Sequence, residues 1–289
     1  MTSHPSHLGV AAAPLLALLA FPVAAQEQPA EGATGGQFRV CADPNNLPFS
    51  NEREEGFENE IAELIAKSWG QTVSYTWWPQ RRGFVRETLR AKKCDVVVGV
   101  PKNYDPVMGT IPYYRSTYVF VYPADQGWDI RSLDDPVLKE LRIGVNLIGD
   151  DYANPPPVMA MAERGLIGPK GYSIFGDYSE DSPPRDIIDA LGKREIDVAI
   201  VWGPLAGYFS KQQPIPLTIA PLPASERADL PFEYDITMGV RRGDTALKER
   251  LDETIREKQG EIRAILERYG VPLVTTPRGP DLPVVDDDD

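Results

Sequence analysis

RVCADPNNLPFSNEREEGFENEIAELIAK, running from Arg39 to Lys67, decides the fold. A short apolar run ends at Ala42 and a polar turn rich in Asn and Pro follows. Phe57, Ile61, Leu64, Ile65 and Trp69 then recur at helical spacing until Gly70. A buried strand, a turn and an amphipathic helix in that order make the first step of a βαβ unit, with the turn left to face a partner.

The same alternation continues along the chain. Apolar runs predict strands over 38–42, 73–77, 95–100, 141–145, 172–175, 197–202 and 234–240. Between them lie predicted helices over 82–91, with Phe84, Val85, Thr88 and Leu89 inward, over 158–164, over 185–191 and from Pro204. Two closing helices turn Leu247, Leu251 and Ile255, then Ile262, Ile265 and Leu266, toward the core. LRAKKCDVVVGVP from Leu89 and LGKREIDVAIVWGP from Leu191 share a Leu, an Asp six residues on, an apolar strand and a Pro. They are either a faint internal repeat or chance likeness between two βα units.

The expected organisation is a signal peptide over 1–25, closed by Val23-Ala24-Ala25, with a retained membrane anchor as the alternative, and a polar leader over 26–36. One lobe comprises 37–122 with 231–275, a second 123–230, and 276–289 form an acidic tail. The chain crosses between lobes near 122 and 230, giving a two-segment hinge. Cleavage removes both histidines, His4 and His7, and with them every Ser/His or Cys/His nucleophile pair. Catalysis would then rest on carboxylates, Lys or Tyr alone. The net charge of −13 argues against nucleic acid or an anionic membrane and favours a basic or cationic partner. No apolar stretch after the signal is long enough to span a bilayer. Two cysteines in an exported chain, Cys41 and Cys94, point to one disulfide rather than a metal site. The terminal DDDD lacks the alternating ligands and Gly turn of a calcium loop and reads as a solvated tail, so no metal is assigned.

RVCADPNNLPFS before GFENEIAELIAKSWG, KKCDVVVGV before PYYRSTYVFVY, EIDVAIVWGPLAGYF and MGVRRGDTALKERLDETIREKQGEIRAILERYG together resemble the type II periplasmic solute-binding protein fold, an α/β fold of two lobes. Amino-acid receptors of that fold follow the third strand with Thr-x-x-Arg, whose guanidinium grips the ligand carboxylate. Here the segment is VPKNYDPVMGT, without Arg, and Lys102 lacks the planar fork. CADPNNLPFSN, TWWPQRRGF, CDVVVGVPKNYDPVMGTIPYYRSTYVFV and DDYANPPPVMAMAERG are similar to the MxaJ/XoxJ-type proteins associated with PQQ-dependent methanol and alcohol dehydrogenases. That resemblance implies a periplasmic accessory role beside such a dehydrogenase, with its cytochrome c a further candidate partner. It implies no PQQ, other cofactor or oxidation in this chain.

Ligands of an open parallel sheet meet the loops at the carboxyl ends of its strands. These loops carry Asp43, Asn45 and Asn46, then Trp78 and Arg81, then Pro101, Lys102 and Tyr104; the second lobe adds Asn146, Asp150 and Trp202. Asp43 alternatively makes only an Asx turn. Trp77 points to the core and Trp78 outward, and Arg81-Arg82 alternatively just start a helix. Tyr113 and Tyr114 divide, with Tyr114 toward the cleft, and Trp202 either packs or contacts ligand. This mixed aromatic set fits a non-catalytic, monomeric accessory protein that engages another protein. The alternatives are an importer's receptor for a small solute other than an amino acid, and an enzyme using Asp43, Asp150 or Asp151.

Overall fold

The computed structural model describes residues 36–146, 155–166, 172–175, 183–227 and 229–275, all in one of the chain's two units, Gly32–Asp289. The expected signal, the leader up to residue 35 and the tail lie outside the described residues. The chain enters through β1 (Gln37–Ala42) and a hairpin of β2 (Asn45–Asn46) and β3 (Ser50–Asn51), which leads to α1 (Phe57–Ser68). Then come β4 (Thr72–Trp77), the one-turn α2 (Phe84–Glu87), β5 (Val96–Pro101), β6 (Met108–Gly109) and the ten-residue β7 (Tyr114–Pro123). β8 (Ile143–Asn146), α3 (Pro156–Glu163), β9 (Tyr172–Phe175), α4 (Asp186–Gly192), β10 (Val198–Trp202), α5 (Gly203–Ser210) and β11 (Leu217–Pro221) form the second half. The closing elements are β12 (Glu233–Val240), α6 (Thr245–Glu257) and α7 (Gln259–Tyr269).

Apart from the separate β2-β3 pair, the strands form one sheet in the order β4-β1-β5-β12-β7-β10-β8-β9, with β6 added on β12 and β11 on β7. β1 is parallel to β4 and β5, and β8 is parallel to β9 and β10. Between these two parallel sets, β7 and β12 run antiparallel to each other. β7 pairs Tyr114–Thr117 with Glu233–Ile236 of β12 and continues with Tyr118–Val121 against β10 and Val119–Pro123 against β11.

Both faces of each parallel set are covered, which is why these strands read as continuous apolar runs rather than alternating ones. In β5, Val96 and Val98 face α1, α6 and α7, where Phe57, Ile61, Ile65, Leu251 and Ile262 are fully buried. Each such side chain contributes about 1.5–3 kcal/mol on burial. The opposite face of β5, Val97 and Val100, packs with Cys41, Phe84, Val85, Leu89 and Cys94. β10 repeats the plan, Val198 and Ile200 on one face and Ala199 and Val201 on the other.

The internal repeat has a structural counterpart. Asp95 accepts the guanidinium of Arg39 at 3.1 Å while its own N–H bonds to the Arg39 carbonyl. Asp197 accepts Arg142 at 2.7 Å, and its N–H likewise bonds to the Arg142 carbonyl. In each case the arginine also donates to a carbonyl just before the strand, Lys92 at 2.6 Å or Arg194 at 2.9 Å. Both of those residues adopt the left-handed region, at φ 57° and 59°.

Two expectations are corrected. The helix predicted over 82–91 shrinks to one turn: Gly83 enters at φ 87°, and the Thr88 hydroxyl turns back to donate to the Phe84 carbonyl at 2.6 Å. The chain then runs in turns that deliver Cys94, although all four predicted inward residues are buried. The sequence reading also passed over β7, β11 and the short strands.

Cys41 and Cys94 form a disulfide with Cα atoms 5.4 Å apart, closing a separation of 53 residues. Cross-linking a loop of that length contributes about 4 kcal/mol on the chain-entropy account. Cys41→Ser with Cys94→Ser, or reduction, is expected to lower Tm by on the order of 10 °C for a domain of this size. A thermal melt with and without reductant that shows no shift contradicts this.

Candidate functional site

β4, β1 and β5 are neighbours and parallel, so the loops after them open side by side at one edge. Asp43 holds this edge together. One carboxylate oxygen accepts the Asn45 N–H at 2.8 Å, completing the Asx turn, and the other accepts the Gln80 N–H at 2.6 Å, tying in the loop after β4. The Ser50 hydroxyl donates to the Asp43 carbonyl at 2.8 Å. Asp43 is 2% exposed. Burial pushes its pKa up, against the two amides and the charge of Arg81.

Around this floor the expected residues are placed as follows. Asn45 and Asn46 form the half-buried strand β2. Trp77 stacks on Tyr75 at 4.5 Å, whereas Trp78 is 37% exposed. Arg81 is exposed and lies before α2, not in it. Pro101 and Tyr104 are exposed and Lys102 is half-buried, its N–H bonded to the Asp235 carbonyl. Asn146 ends β8 half-buried, with its side-chain oxygen unpartnered. Asp150 and Asp151 lie outside the described residues. Trp202 ends β10 and meets Tyr118 at 5.3 Å and Tyr234 at 5.8 Å, packing against the cores of both halves at once.

The division expected of Tyr113 and Tyr114 is not found. Both are buried, their ring centroids 5.0 Å apart, and Tyr114 sets its ring against Phe57 at 6.1 Å. Tyr113 precedes β7, so strand alternation does not separate the pair.

The sequence reading missed Glu58. It sits in the first turn of α1, and its carboxyl lies over Gly99 of β5, where an added Cβ would come within 2.0 Å of its oxygen. The absence of a side chain at Gly99 is what admits it. Burial, and then the Asp43 charge, push its pKa up to about 8, and no described residue hydrogen-bonds to the carboxyl. The Tyr113 hydroxyl nearby is buried and likewise unpartnered. The available signal was a carboxylate one position from the fully inward Phe57. The turn that positions it is fixed by Asn59, whose side-chain oxygen accepts the N–H groups of Gly56 at 3.1 Å and Asn51 at 3.3 Å.

The arrangement can hold polar groups and aromatic faces together. Among the described residues no three His, Cys, Asp or Glu side chains are grouped to hold a metal ion, and no helix is long and apolar enough to cross a membrane.

Residues 38–272 match the family model described as bacterial extracellular solute-binding proteins, family 3. Protein MoxJ of Methylorubrum extorquens is 33% identical over 290 residues, covering 91% of this chain and 93% of that one. The crystal structure of the periplasmic binding protein XoxJ from Methylobacterium extorquens AM1 is similar with a TM-score of 0.69 and 34% identity, covering 83% of this chain and 100% of that one. MxaJ from Methlophaga aminisulfidivorans MPT gives a TM-score of 0.68 and 27% identity, covering 81% and 99%. These likenesses bear out the type II periplasmic binding protein fold and the MxaJ/XoxJ-type resemblance.

The raised Glu58 pKa predicts a pH dependence. Below about 4.5, its ordinary value, folded and unfolded chains both hold the proton; between there and about 8 only the folded chain does. The unfolded state therefore binds fewer protons, and stability falls as pH rises through this window. Glu58→Gln is expected to flatten that fall. Urea midpoints at pH 5 and pH 8 check it, and an unchanged wild-type slope in the variant counts against the assignment.

Proposed function

We propose, from the premise that the chain belongs to the bacterial extracellular solute-binding proteins of family 3, that it is a non-catalytic periplasmic accessory protein. It assists maturation or activity of a PQQ-dependent methanol or alcohol dehydrogenase through its cleft or an adjacent surface. The observation that carries this reading is the match to MoxJ and XoxJ along most of the chain. The edge of the first strand set supports it. Lys102 to Thr110 contain no arginine, and Arg242, which reaches this loop from beyond β12, is held by the Asp105 side chain and carbonyl. The loop after β5 therefore provides no carboxylate-gripping fork. The rim instead offers Trp78 and Tyr104, aromatic side chains of the kind that anchor protein interfaces.

In this reading the two parallel strand sets act as lobes, 37–122 with 231–275 and 123–230, and β7 with β12 form the hinge. A second reading, a receptor for a small solute, is favoured by the hydrogen-bond-free Glu58 carboxyl and the unpartnered Tyr113 hydroxyl beside it.

Gel filtration of the purified chain with a purified quinoprotein alcohol dehydrogenase separates the two. The accessory role predicts co-elution and no melting shift from a panel of small alcohols, acids and amines. Separate elution, together with a Tm raised several degrees by one solute, supports the receptor instead.

A further inference from the structure

The net charge conceals an uneven distribution. Between residues 81 and 93 there are six Lys or Arg against the single acid Glu87, so the rest of the chain carries 24 basic against 42 acidic residues. The basic or cationic partner expected from the net charge therefore does not follow for this segment.

The structure makes the segment a built surface rather than a loose charged loop. Its inner side, Phe84, Val85 and Leu89, is buried with Cys41, Cys94 and Val97 on the outer face of β5 and β1. That leaves the basic side chains outward, with Arg82, Arg86, Arg90 and Lys93 exposed. The disulfide staples its end to β1. The Lys93 carbonyl accepts the Thr76 hydroxyl at 3.0 Å, and the Lys93 ammonium lies 5.3 Å above the ring of exposed Trp78. The Arg39 guanidinium holds the Lys92 carbonyl, fixing the turn from beneath. The backbone beneath these side chains is therefore already fixed when this face meets another surface. An exposed Trp among arginines is also the composition that concentrates binding energy.

We propose that this stapled basic face, which meets the cleft rim at Trp78, docks an acidic face of the dehydrogenase partner inferred above. The partner's identity rests on that reading, whereas the acidity of its docking face rests on the charge pattern alone. Opposite charges steer such an encounter, and salt weakens it within a Debye length of about 8–10 Å.

The test uses purified quinoprotein alcohol dehydrogenase holoenzyme immobilised on a biosensor, with the full mature chain in solution. The expected result is wild-type binding that weakens steadily between 50 and 300 mM NaCl (roughly the range over which screening grows). Arg82→Glu with Lys93→Glu should weaken it about tenfold or more, as should Trp78→Ala, with Tm unchanged. Salt-independent wild-type binding overturns the docking face without needing any variant. So does equal binding by a folded double variant, and both leave the accessory role standing. Absence of wild-type binding overturns the accessory role together with this inference. Self-association of the chain, abolished by the same charge reversals, assigns the face to a second copy and overturns the proposal.

Discussion

Two arginine–aspartate clamps, Arg39 with Asp95 and Arg142 with Asp197, set the register on which the rest depends. Each joins the start of one parallel strand to the start of its neighbour by a charged bond and a backbone bond at the same residue. Because parallel strands cannot be linked by a tight hairpin, their alignment depends on such side-chain contacts as well as on packing. Asp95 also takes Arg241, at 2.7 Å, from just beyond β12, so the clamp in the first half also fixes the antiparallel strand that returns to it. A slip of one residue would turn Val97 and Val100 away from the disulfide-bearing face.

Most elements were legible because parallel strands buried on both faces are plain apolar runs and α1 has an unbroken stripe. β7 was not, because Ser116 and Thr117 interrupt its pattern at 0% and 1% exposure. They are tolerated only because their hydroxyls find the Pro272 and Phe232 carbonyls at 2.6 and 3.0 Å, partners more than a hundred residues away that no local window contains. Over 82–91 the inward face was legible and the backbone was not, since propensity favoured a helix that Gly83 and Thr88 cut short. The candidate site divides similarly. Strand ends located Asp43 and Trp78, but the environment of Glu58 comes from Asp43 and the bare Gly99, neither of which periodicity links to it.

The electrostatics of the first strand set fall into two regions with a wall of apolar packing between. On the α1 side lies an acidic, partly desolvated floor, where burial pushes the pKa of both carboxyl groups up and the Asp43 charge raises that of Glu58 further. On the other face lies a solvated basic crust over Phe84, Val85 and Leu89. The disulfide sits in that wall, so it holds the crust in place without touching the floor.

The placement of β12 has a consequence for how the protein is made. This strand comes from residues 233–240 but lies between β5 and β7 in the finished sheet. Synthesised from its amino terminus, the chain must carry the exposed edge of β5, four valines in six residues, while more than a hundred further residues emerge. An unpaired apolar edge held open for that interval is the part of the nascent chain most prone to pairing with the wrong neighbour.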